Sequence, residues 1–77
     1  MIIDDRYQYS VFMSYNTYPL SKIFEAERWA NSQFHYYNWK TFSDIIHRNG
    51  RVFIFENEED CIAFKLTWLS DLTTVDI

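Results

Sequence analysis

The chain has 77 residues, 16 of them aromatic, a single cysteine and a net charge of −4. This length is near the lower limit for independent folding, so residues 1–77 are predicted to form one domain, with tails at 1–5 and 70–77. One cysteine excludes an internal disulfide, and no cysteine–histidine cluster has zinc-binding spacing, so neither a disulfide nor a metal is expected.

The first predicted elements are a strand and a helix. Residues 6–15 alternate between an apolar and a polar face, which is typical of a half-buried strand, and Phe12 is an aromatic exception on the polar face. After a turn that contains Pro19, the apolar period becomes helical and predicts a helix from about 20 to 35. The segment 35–40 is predicted to be an irregular connection that packs Trp39 onto the domain.

Residues 41–50 allow two interpretations. The pair Asn49-Gly50 between apolar runs is typical of a two-residue hairpin turn, which would pair 42–48 with 51–56 and set His47 opposite Val52. The alternative is a short helix that begins at a capping box and ends at Gly50. We favour the hairpin.

The stretch that follows predicts a buried strand and a second helix. Residues 52–55 are apolar on both faces, as central strands usually are. Asn57 is the candidate N-cap of a helix whose first turn holds Glu58, Glu59 and Asp60, where negative charge interacts favourably with the helix dipole. Near the C-terminus, Thr73-Thr74-Val75 is the candidate for a short edge strand.

The order of these elements predicts an α+β fold. It corresponds to a small ferredoxin-like βαββα(β) sandwich, an antiparallel sheet with two helices on one face and the other face open. We place Val52 and Ile54 against the helices, which puts Phe12, Phe53 and Phe55 on the open face as an aromatic binding surface. In the alternative, the tail or Trp39 covers these rings.

Two strands resemble those of a known family. Val11-Phe12-Met13 and the run 51–55 resemble the aromatic strands of the RNA recognition motif, in which rings on the open sheet face stack on bases. Gly50-Arg51-Val52 departs from the glycine–aromatic rhythm of that family. The balance of −5 over residues 56–77 also disfavours contact with phosphate, so nucleic acid is the less favoured partner.

A second resemblance covers about a quarter of the chain. The run F-x-F-x-N-E-E-D-x-x-x-F-K-L-x-W at residues 53–68 resembles the C-terminal ends of short uncharacterised proteins of tailed bacteriophages. The resemblance implies a phage origin and a small α+β fold. It implies no activity.

No residues of this chain indicate catalysis. His35 and His47 are interpreted as capping or packing residues, and Cys61 as a small core residue. There is no catalytic triad, phosphate loop or dinucleotide motif, so neither enzymatic activity nor a cofactor is predicted. The N-terminus lacks the features of a signal peptide, and no apolar run is long enough to span a membrane. Both observations favour a location in the cytoplasm, which for a phage protein is the cytoplasm of the host cell.

These observations predict a non-catalytic protein–protein interaction module, a phage-encoded protein that binds a host protein and inhibits or redirects it. The acidic C-terminal third would favour a partner with a basic surface. The candidate contact residues are Phe12, Phe53, Phe55, Glu58, Glu59 and Asp60. The alternatives are a homodimer, larger homo-oligomer or virion structural protein with the open sheet face between copies, and a single-stranded nucleic-acid binder that uses the aromatic face.

Overall fold

Five elements follow one another in the order βαββα in the computed structural model, which describes residues 6–69. The strands form an antiparallel sheet of order β1-β3-β2, the strand arrangement of a ferredoxin-like unit. The predicted α+β fold is confirmed, and the candidate edge strand Thr73-Thr74-Val75 lies outside the described residues. The elements are β1 (Tyr9–Ser14), α1 (Leu20–Gln33), β2 (Trp39–Asp44), β3 (Gly50–Phe55) and α2 (Glu58–Trp68).

Both helices begin where the sequence predicts. Pro19 precedes α1 in an extended conformation, and Asn57 does the same for α2. The Asn57 side chain makes no capping hydrogen bond to the helix backbone; its Nδ2 donates to Oδ2 of Asp60 over 3.3 Å. Within residues 6–69, neither helix has the length and apolar character needed to cross a membrane.

One hydrophobic core lies between the sheet and the two helices. The ring of Phe64 in α2 lies 4.6 Å from that of Phe53 and 5.5 Å from that of Phe55, measured between centroids. Trp39 at the start of β2 is buried against the same cluster, as predicted. The other buried members are Val11, Met13, Tyr18, Ile23, Ala26, Ala30 and Cys61.

The prediction that Phe53 and Phe55 stand on the open face is wrong. Both are fully buried beneath the helices, and Val52 and Ile54 point to the opposite face. The physical reason is the space between the sheet and α1. Two of the buried residues of α1 are alanines, Ala26 and Ala30, and their small side chains leave room for phenyl rings on this face of the sheet.

The predicted hairpin between β2 and β3 forms with a different register. Phe42, rather than His47, lies opposite Val52, and residues 45–49 make a five-residue loop instead of a two-residue turn. Asn49 is the one residue between 6 and 69 that takes the left-handed conformation, with φ of 57°. Residues 45–48 form a turn and no helix, so the helical alternative for this segment is also wrong.

Candidate partner-binding surfaces

The open face of the sheet carries a row of three side chains. Phe12 of β1 and Phe42 of β2 lie on either side of Val52, which is their partner in both ladders. Val52 and its neighbour Ile54 are buried, and the two phenyl rings are half-buried. The open face therefore offers parts of two rings, and it holds neither Phe53 nor Phe55.

Phe12 is itself held and partly covered. Its ring lies against the main chain at Gly50: a Cβ atom built there would come within 2.5 Å of ring atom Cε1 and 2.6 Å of the Met13 carbonyl oxygen. The guanidinium carbon of Arg48 lies 4.7 Å from the centre of the same ring. This cation–π contact fixes the ring in place and reduces the area that it can offer to a ligand.

The acidic turn at the start of α2 is a separate surface. Glu58 and Glu59 are exposed, and Asp60 is half-buried. These residues belong to a helix on the face of the sheet opposite Phe12. The six residues predicted as contacts therefore occupy three separate places: the open face, the core and the N-terminus of α2.

The loop of residues 45–49, hereafter the hairpin loop, displays apolar side chains that the sequence analysis missed. Ile46 is 89% exposed and Ile45 is 64% exposed. The predicted hairpin had placed Ile45 within a strand. The sequence contained one signal of this exposure, the adjacent pair Ile45 and Ile46. Adjacent residues on a strand point to opposite faces, so one of the two must point away from the core.

Hydrogen bonds at both ends hold the hairpin loop in shape. The Asp44 carboxylate accepts from the His47 backbone N–H over 3.2 Å and from Arg48 Nε over 3.0 Å. At the other end, the Tyr15 backbone N–H donates to the Asn49 carbonyl over 3.0 Å. Two isoleucines are thus presented on a loop whose ends are fixed before any partner binds.

Acid is expected to loosen the hairpin loop. The hydrogen bond from Arg48 holds the pKa of Asp44 below its usual range, and the His47 backbone N–H lowers it further. The pKa of Asp44 is lower in the folded chain than in the unfolded chain, so its ionised carboxylate stabilises the loop at pH values above the unfolded-state pKa of about 3.9. This stabilisation is lost as the pH falls through the lower folded-state pKa. The chemical shift of the Arg48 Nε–H, which donates to this carboxylate, should therefore titrate with a midpoint below about 3.9.

An Asp44→Asn variant is the control for this titration. It keeps the shape of the side chain but removes the ionisable group, so the shift of the Arg48 Nε–H should no longer follow the same curve. A wild-type midpoint at or above the ordinary aspartate value would contradict the contact.

The remaining reactive side chains have structural partners. Burial raises the pKa of the Cys61 thiol, which fits a core residue. His35 stacks on Tyr36 and Tyr37, with ring centroids 5.0 and 4.7 Å away. Within residues 6–69, no three histidine, cysteine, aspartate or glutamate side chains lie together as metal ligands do.

Arg51 connects the hairpin to α1 on the helix side of the sheet. Its Nε donates to Thr41 Oγ1 over 3.0 Å, its Nη1 donates to Ser43 Oγ over 3.2 Å, and its Nη2 lies 3.4 Å from Glu27 Oε1. This network joins α1 to β2 and β3.

Comparison with known proteins adds no relative: no protein-family model, no curated protein and no solved structure matches the chain.

Proposed function

We propose that the chain is a non-catalytic protein-binding module whose main contact is the hairpin loop. The exposure of Ile46, with Ile45 beside it, carries the proposal. Moving one isoleucine side chain from water into an apolar pocket contributes about 1.5–3 kcal/mol. A loop that is already hydrogen-bonded at Asp44 and Asn49 loses little conformational entropy when it docks.

The proposed partner is a host protein, bound in the bacterial cytoplasm by a phage-encoded chain that inhibits or redirects it. The run at residues 53–68 that resembles tailed-phage proteins supports the origin, and it coincides with β3 and α2. The exposed Glu58 and Glu59 lie beyond the end of β3 opposite to the hairpin loop, and they support a partner with a basic surface because separated charges steer the encounter more than they add affinity. The apolar loop and the acidic turn thus have different roles in binding.

The nucleic-acid alternative has less support. Stacking on bases needs exposed ring faces, and Phe53 and Phe55 are in the core. Phe12 stays on the open face but lies between Arg48 and the main chain at Gly50. We therefore retain the protein-binding function as the single proposal.

The test is affinity capture from bacterial lysate with three tagged chains: wild type, Ile46→Asp and Phe24→Asp. Phe24 is a matched control, because it is also a large exposed apolar residue but lies on α1. We expect wild type and Phe24→Asp to retain the same partner and Ile46→Asp to lose it. Retention by wild type should persist at high salt, since the main contact is apolar.

Two outcomes would contradict the assigned contact. Equal capture by all three chains would show that the hairpin loop is not involved. Loss of the partner from wild type at high salt would move the main contact to the acidic turn of Glu58, Glu59 and Asp60. Circular dichroism of each variant should match wild type, because the substituted side chains are exposed.

A further inference from the structure

We infer that the partner protein binds the Arg48 guanidinium with a carboxylate beside the pocket that takes Ile46, an inference that rests on the proposed function of the hairpin loop. Arg48 is exposed, and the hairpin loop itself contains no acidic residue. The loop therefore presents a cation two residues after its exposed Ile46. Opposite charge on the partner is what complements this cation.

Two contacts hold the Arg48 guanidinium in place. Its Nε donates to Asp44 Oδ2 over 3.0 Å, and its Cζ lies 4.7 Å from the centre of the Phe12 ring. An arginine side chain that is already fixed on the free protein loses little conformational entropy when a ligand binds to it. Asp44 and Phe12 thus prepare Arg48 for a partner.

The edge of the guanidinium that is formed by Nη1 and Nη2 is open. A guanidinium has five N–H donors, and within residues 6–69 only the Nε–H of Arg48 makes a hydrogen bond. The Arg48 side chain is 51% exposed, whereas the side chain of Asp44 is 17% exposed. The ion pair therefore turns its cationic side to solvent, with N–H groups left for a ligand.

A carboxylate fits this open edge better than a phosphate does. Its two oxygens accept two parallel N–H groups in the bidentate geometry that arginine favours. Phosphate groups are usually bound by clusters of arginines, and Arg48 is the one arginine of the hairpin loop. The carboxylate is therefore assigned to an aspartate or glutamate side chain of the partner.

Arg48 and Ile46 can contact one surface of the partner. Two residues span at most roughly 7 Å of main chain, and both side chains are exposed. When the isoleucine enters an apolar pocket, water leaves the neighbouring ion pair, which is then screened less by salt. The basic surface proposed for the partner faces Glu58 and Glu59 beyond the other end of β3, so the two charge contacts are separate.

Variants of Arg48 test this contact on the protein that the wild-type chain retains from lysate. Arg48→Gln removes the charge and should raise the dissociation constant about 10- to 100-fold, the effect of losing charge-assisted hydrogen bonds. Arg48→Lys keeps the charge but lacks the parallel N–H groups, so its effect should be smaller. The matched control is Arg28→Gln, the same change at an exposed position on α1, which should bind as wild type does.

Zero-length cross-linking tests directly whether the group opposite Arg48 is a carboxylate. A carbodiimide joins a lysine amine to a carboxylate that it touches. The Arg48→Lys chain should therefore form a link from position 48 to an aspartate or glutamate of the retained protein, located by mass spectrometry. The wild-type chain, which has no amine at position 48, is the control.

Three outcomes overturn the inference. One is a link from position 48 only to Asp44 of the same chain. Another is binding by Arg48→Gln that equals wild type while Ile46→Asp loses the partner, and in that case the proposed function stands without the carboxylate. The third is a wild-type chain that retains no protein, which overturns the proposed function as well.

Discussion

Replacing Phe53 by alanine is expected to leave most of the chain unfolded under native conditions. The ring is fully buried, with centroid distances of 4.6 Å to Phe64 and 6.4 Å to Trp39. Deleting a buried phenyl ring costs about 3–5 kcal/mol. A core of this size rarely supplies more than roughly 3–5 kcal/mol in total. Far-UV circular dichroism across a urea series should show little or no folded baseline for the variant.

Two matched variants separate the core from the open face. Phe53→Leu keeps most of the buried volume and should remain folded. Phe12→Ala removes the same ring from the opposite face, where it is half-buried, and should cost clearly less than Phe53→Ala. If Phe53→Ala were as stable as wild type while Phe12→Ala unfolded, the assignment of Phe53 to the core and of Phe12 to the open face would be wrong.

A methyl group at position 50 is expected to destabilise the fold by about 1–3 kcal/mol, the usual cost of overpacking. The added atom in Gly50→Ala would meet the Phe12 ring and the Met13 carbonyl oxygen at distances well inside ordinary contact. Backbone strain is not the cause, because the φ angle of Gly50 is not positive. Urea denaturation measures the change directly.

The Phe12→Ala background divides this cost between its two sources. Without the ring, the part of the penalty that comes from Phe12 should vanish, and the part from the Met13 carbonyl should stay, because main-chain atoms of a paired strand cannot move aside. The two substitutions should therefore be non-additive, with a residual penalty for Gly50→Ala. A neutral Gly50→Ala change in the wild-type background would contradict the close packing of Phe12 on β3.

The sequence predicted the positions of the helices and strands better than it predicted which side chains of each strand point into the core. Helical spacing of Ile23, Ala26 and Ala30 located α1, and the acidic turn after Asn57 located the start of α2. Residues 52–55 gave no comparable guide, because all four are apolar and a strand buried on both faces has no alternation to interpret. The alanines of α1 decide which face receives the larger side chains, and this depends on tertiary packing.

The hairpin loop shows why the candidate site was mostly missed. The Asn49-Gly50 pair predicts a two-residue turn from local preference alone. In the structure, Asp44 bonds to His47 and Arg48, and Asn49 bonds to Tyr15 just after β1, so a longer loop becomes favourable. That register places Ile45 and Ile46 in solvent. Contacts between distant segments, such as Tyr15 with Asn49, leave no periodic signal in the sequence.

The aromatic contacts between α1 and α2 also give the molecule an intrinsic optical reporter. All three tryptophans lie in or against the core: Trp39 is buried, and Trp29 and Trp68 are half-buried and in edge-to-face contact with each other. Native fluorescence should be blue-shifted and should move to longer wavelength on unfolding, and the Trp29–Trp68 pair should produce an exciton-coupled dichroism signal. Folding of every variant can therefore be followed without a label, by chromophores that lie outside the hairpin loop.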